Sequence, residues 1–202
     1  MSASESPTVK EKLVQSGIDL FRRTGYVATT VDDICREAGV SKGAFFHYFA
    51  NKDALAEECL RVWEQRLSEM FEKSAGGAVK DPVERLFRSL DFFIDVFGNP
   101  QMGRSCLAGT IVQEVSESHP ALREAANKCF TNGIQKFRGL LLDACRSRKL
   151  KIDTESVARM FLATIQGSLL LTKASQDSSV TAENLRHYKR YVETLIKGKA
   201  SS

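Results

Sequence analysis

Apolar residues recur at helical spacing along nearly the whole chain, and alternating strand-like runs bounded by turn residues do not occur. This pattern predicts an all-α protein of about nine helices. Val9, Leu13, Leu20 and Phe21 form the apolar stripe of a first helix. It is expected to open with Ser6 as cap and Pro7 in the first helical position, where a missing N–H costs nothing. Gly25 should end it as a left-handed cap. Thr30 opens a short second helix, with Asp33 three residues on as a near capping box, and Gly39 closes it. Ser41 caps a third helix of about two turns over residues 42–49. Asn51 leads into a long fourth helix over residues 53–73.

Residues 74–78 read as a loop. Asp81-Pro82 opens a fifth helix to about residue 97, and Gly98-Asn99-Pro100 breaks it. A sixth helix covers residues 104–116, and His119-Pro120 starts a seventh that ends near the basic run at 146–151. An eighth spans 154–174 and a ninth 182–197, leaving a frayed tail at 198–202. Two short helices joined by Ala38-Gly39-Val40 make a helix-turn-helix pattern with the first helix. Gly39 can take positive φ without penalty, and Val40 is expected to plug the core between the two helices. Phe45 and Phe49, four residues apart, should face that core.

Composition narrows the class. The 202 residues are 43% hydrophobic and 27% charged, ample for a buried core. The net charge of +4 is mild, and residues 1–52 carry seven Lys/Arg against six Asp/Glu, a balance of +1. A case for nucleic acid must therefore rest on the placement of particular side chains. No apolar run approaches the ~20 residues of a membrane span, and the polar start lacks the order of a secretory signal. Five widely spaced cysteines, with no Cys-x-x-Cys pair, fit neither a disulfide framework nor a zinc site. They suit a reducing cytoplasm.

One segment carries a specific likeness. Thr30-Val31-Asp32-Asp33-Ile34, then Ala38-Gly39-Val40-Ser41-Lys42-Gly43-Ala44-Phe45-Phe46-His47-Tyr48-Phe49, then Lys52-Asp53-Ala54-Leu55, resembles the DNA-binding domain of the TetR/AcrR family of bacterial repressors. The resemblance implies a helix-turn-helix DNA-binding domain over residues 1–52 and a helical effector-binding and dimerisation domain over 53–202. It implies double-stranded operator DNA as partner, a homodimer paired through the last two helices and an unknown small-molecule effector; no cofactor is expected, and neither His119 nor His187 has partners at metal-ligand spacing. The residues expected at DNA are Thr29, Thr30, Ser41, Lys42, Gly43, Ala44, Phe46, His47, Tyr48 and Lys52. Early residues of a recognition helix reach base edges, flanking ones hold the backbone, and helix N-termini offer N–H groups to phosphate. Base reading is expected of Lys42, Gly43 and Ala44, helped by His47, and Lys52 is expected on a phosphate. At Phe46 the family usually has a tyrosine whose hydroxyl reaches a phosphate; phenylalanine has no such group and is left to pack on a sugar or a thymine methyl.

The rest of the chain is less specific. Trp63, Phe93, Phe97, Met102, Cys106, Phe130, Phe137 and Gln166 are candidates for an effector pocket, since small-molecule sites are mostly apolar with a few polar groups. Ordinary core packing is the competing reading for each. Gln113, Glu114 and Asn127 are polar residues in apolar helices, either orienting a ligand or simply exposed. The turn Gly103-Arg104-Ser105-Cys106-Leu107 is similar to one in a subset of the family that includes an electrophile-sensing repressor. Two readings of Cys106 follow: a thiol sensor activated by Arg104 and a helix start, or a small buried apolar residue. A helical enzyme is the alternative from another class, but no Ser/His/Asp set, paired carboxylates or phosphate-cradling Gly-rich loop supports it.

Overall fold

The computed structural model describes residues 6–73, 79–100, 102 and 105–197. Within them lie nine α-helices and no strand: α1 Val9–Thr24, α2 Val31–Ala38, α3 Lys42–Tyr48, α4 Lys52–Phe71, α5 Pro82–Gly98, α6 Leu107–Val115, α7 Pro120–Arg148, α8 Thr154–Ser175 and α9 Ser179–Lys197. The expected loop at 74–78, the Gly103 and Arg104 neighbours of Cys106, and the tail at 198–202 lie outside the described residues.

Local chemistry explains most boundaries. Thr30 and Asp33 form a full capping box on α2, each side chain accepting from the other's backbone N–H at 3.1 and 3.0 Å. Gly39 takes φ +65° and ψ +37°, the left-handed cap expected of it. Asp81 caps α5 with Pro82 at its start. Other ends differ from expectation. The cap of α1 is Thr8 rather than Ser6, because Thr8 has Glu11 three residues on and the two make a reciprocal capping box. Helix α6 starts at Leu107, later than residue 104, and α9 starts at Ser179, before residue 182. Gly25 has positive φ, but its ψ of 162° is extended and not left-handed helical.

The chain divides into two compact units, residues 1–66 with 107–129, and residues 67–106 with 130–202. Residue 52, expected as a domain boundary, is the first residue of α4 and lies inside the first unit. In that unit Leu13, Ile18 and Phe21 of α1 pack into one core with Ile34, Phe45, Leu55 and Ile111, all at or below 1% exposure. Val40, expected to plug this core, is only half-buried. At Gly17 an added Cβ would stand 2.8 Å from Cys59 Sγ, so a glycine permits the close approach of α1 and α4.

The second unit is built on α5, α8 and α9, with α9 packed against both others. Phe137 stacks on Phe161 at 4.1 Å between centroids, and Phe161 meets Phe93 edge-on at 5.1 Å. The buried Tyr188 hydroxyl donates to the Val157 carbonyl at 2.7 Å, tying α9 to α8. Burial pushes that phenol well above the ordinary tyrosine range. Among the described residues no helix is long and apolar enough to cross a membrane.

Candidate nucleic-acid interface

The two short helices α2 and α3 are aimed by the turn that precedes them. This turn, residues 25–29, is held from three sides within the first unit. Lys52 at the start of α4 donates from Nζ to the carbonyls of Tyr26 and Thr29, both at 2.8 Å, and stands 4.1 Å over the Tyr26 ring. Glu114 of α6 accepts the Val27 N–H at 2.8 Å. His119, just before α7, meets the Tyr26 ring edge-on at 5.6 Å. The Tyr26 hydroxyl donates to Asp53. Burial of the ring and this carboxylate push the Tyr26 phenol well above its usual range.

This geometry gives three residues singled out in the sequence partners within the first unit. Thr29, expected to offer its hydroxyl to DNA, is 2% exposed, and that hydroxyl donates to the Gly25 carbonyl at 2.6 Å. Lys52, expected on a phosphate, spends two of its three donors on carbonyls inside its own unit. Burial lowers its ammonium from the ordinary lysine range, opposed by the nearby carboxylates of Asp53 and Glu114. Glu114, expected either to orient a ligand or to be simply exposed, is exposed and holds the turn. Lys52→Ala is accordingly expected to cost about 2 kcal/mol of stability, the scale of lost hydrogen bonds to a charged group. The slope of log affinity against log salt for DNA should stay unchanged. A slope flattened by ~0.9 at unaltered stability would return Lys52 to the phosphates.

The remaining candidates gather on the outside of α2 and α3. Ser41 accepts the Ala44 N–H at 3.1 Å as the cap of α3. Phe45, inward, is fully buried, while Lys42, Gly43, Phe46, His47 and Tyr48 are exposed, with Ala44 half-buried between. An added Cβ at Gly43 would meet nothing closer than Ser41 Oγ at 3.8 Å. His47 and Tyr48 pack edge to face at 4.8 Å. Lys42 reaches back to Asp32 of α2 at 2.9 Å, an exposed pair that a stronger anion can displace. Thr30 is exposed, but its hydroxyl is engaged in the α2 cap. A short helix with one face locked into a core and the other open to solvent is suited to a groove.

Comparison with known proteins decides what this helix pair belongs to. The family model of bacterial regulatory proteins of the tetR family matches residues 13–59, and that of the tetracyclin repressor-like C-terminal domain matches residues 82–188. The chain belongs to the TetR family. Members are transcriptional regulators with a DNA-binding helix-turn-helix, and they bind DNA as dimers. An uncharacterized HTH-type transcriptional regulator in the lacX 3' region of Lactococcus lactis subsp. lactis is 29% identical over 87% of this chain and 88% of its own length. The HTH-type transcriptional repressor DhaR of Mycobacterium sp. (strain GP1) is 25% identical over 84% of each chain. A TetR transcriptional regulator from Chloroflexus aurantiacus J-10-fl shares the fold, with a TM-score of 0.80 at 21% identity over 92% of this chain and 94% of that one.

The effector candidates of this TetR-family chain fall in both units. Trp63 lies on α4 in the first; it is 6% exposed, its indole N–H has no hydrogen-bond partner among the described residues, and the Arg22 guanidinium lies 4.4 Å over its ring. In the second unit Phe93 stacks on Phe97 at 6.3 Å, and Met102 and Cys106 pack against the same core cluster as Phe137. Phe130 and Gln166 are half-buried on α7 and α8. Cys106 is half-buried and precedes α6, while Cys35, Cys59 and Cys145 are buried. Burial drives the Cys59 thiol far above its usual range.

Proposed function

We propose that this chain is a ligand-responsive repressor that reads a two-fold symmetric operator as a dimer paired through α8 and α9. The observation that carries the dimer is an open apolar groove along these two helices. Met160, Gly167, Leu171 and Tyr191 line it, and Met160, Leu171 and Tyr191 are 43%, 56% and 39% exposed. Leu170 adds a further exposed apolar side chain at 54%. Large apolar residues grouped in this way mark an association surface. Gly167, with open space where its Cβ would stand, allows two helices to approach closely. A dimer supplies the two recognition helices that a symmetric site needs, about one DNA turn apart.

Repression is supported by the likeness to DhaR, itself a repressor by name. The effector reading is supported by the Trp63 indole N–H, a buried donor with no acceptor among the described residues, which a carbonyl or similar group on an apolar ligand would satisfy. Such a ligand releases DNA only by favouring a conformer that fits the operator less well.

Selection of bound fragments from the source genome tests the operator, and the enriched sequence is expected to be two-fold symmetric. Leu171→Ala tests the dimer. Each copy loses roughly 1 kcal/mol of burial and the symmetric interface loses it twice, so the dimer dissociation constant should rise by about thirtyfold. Sedimentation equilibrium reads it. A dimer unmoved by Leu171→Ala places the interface elsewhere.

A further inference from the structure

Phe46 is a large apolar side chain left 51% exposed on the outward face of α3. Its ring does not hang free. It meets Phe45 edge-on, with centroids 5.2 Å apart and planes at 80°. Phe45 is fully buried and lies 5.9 Å from the ring of Phe49 beneath it. A ring braced on a buried ring has lost much of its freedom before any partner arrives, so little ordering remains to be done on contact. Lys42 stands one helical turn earlier on the same face, and the intervening Gly43 adds no bulk.

The chemistry of the ring limits what it can meet. Phe46 neither donates nor accepts a hydrogen bond. Against a phosphate it would desolvate a charge and return nothing. The base edges of the major groove present donors and acceptors, and one apolar group, the 5-methyl of thymine. We infer that Phe46 is a specificity residue that selects thymine at one defined position of each operator half-site by covering that methyl group. The inference rests on the proposed role of α3 in reading an operator.

The test removes the methyl and nothing else. Each thymine of the selected operator is replaced by deoxyuridine, at symmetric positions in both halves, and affinity is measured for the full-length protein and for Phe46→Ala. At one position the wild-type protein should lose about tenfold in affinity, the burial of two methyl groups. Phe46→Ala, an exposed substitution checked for helix content by circular dichroism, should bind the thymine and deoxyuridine operators alike. Should Phe46→Ala bind too weakly to titrate, Phe46→Gln is read in its place; it keeps length but loses the apolar face, and it should show the same indifference. Wild-type affinity unmoved by deoxyuridine at every position overturns the inference and leaves operator reading standing, as a ring packed on sugar would do. A penalty that persists undiminished in the Phe46 variant also overturns it. A wild-type protein that holds no duplex in the selection removes the operator reading and this inference together.

Discussion

Gly43→Leu is expected to weaken operator binding by about a hundredfold or more while leaving the fold and the dimer intact. The structural half of this expectation comes from the space around Gly43. An added Cβ meets only Ser41 Oγ at 3.8 Å, and the residue is exposed. Its backbone is helical, so leucine brings no strain, and replacing a glycine in a helix tends to stabilise it by up to ~1 kcal/mol. The functional half comes from position. Gly43 lies between Lys42 and the Phe45–Phe46 pair, where α3 would come nearest to base edges. A branched side chain there holds the helix off the groove in both half-sites. At roughly 1–3 kcal/mol for each disturbed half-site contact, the two together reach the hundredfold scale. Anisotropy titration with the selected operator gives the affinity; circular dichroism and sedimentation give fold and mass. A folded, dimeric Gly43→Leu protein with wild-type affinity would take α3 out of the groove.

That variant can be designed because this part of the site is written locally. The caps at Thr30, Gly39 and Ser41 act over three or four residues, and the alternation of Phe45 and Phe49 inward with Lys42 and Phe46 outward follows from the helical repeat alone. The clamp on the turn is different in kind. Lys52 reaches carbonyls 26 and 23 residues back, and Glu114 reaches an N–H 87 residues back. No periodicity or spacing rule connects such positions. A lysine just outside a helix-turn-helix reads as a phosphate ligand, and only the fold shows that two of its donors also tie down the preceding turn. Thr29 is a different case: a hydroxyl beside a helix start suits a phosphate, but this one is buried, and burial is a property of the whole unit. The start of α9 is set by Asp177, which accepts the Ser179 N–H at 2.9 Å from two residues upstream, and Asp177 falls in the polar stretch between α8 and α9 that offers several possible helix starts.

Gly25→Ala is expected to cost about 3 kcal/mol, the largest stability loss among these variants. Two separate effects meet at this residue. Its φ of +94° with ψ of 162° lies in a region that is nearly glycine-only, and holding alanine there costs roughly 1–3 kcal/mol. The new Cβ would also stand 2.2 Å from Glu114 Oε1 and 2.9 Å from its carboxyl carbon. That carboxylate must move, and in moving it releases the Val27 N–H that it holds at 2.8 Å. Because Val27 is exposed, water can replace part of that bond, which limits the second loss to about 1 kcal/mol. For a chain of this size the sum corresponds to a fall of roughly 10 °C in Tm, measured at fixed protomer concentration because dimerisation adds to stability. A double-mutant cycle with Glu114→Ala separates the two effects. Backbone strain alone would cost the same in either background. The clamp predicts a smaller cost once Glu114 is gone, by about 1 kcal/mol, since the alanine then displaces nothing. Strict additivity in the cycle would mean that Glu114 does not hold this turn, and that the approach of α6 to α1 fixes α2 and α3 by packing alone.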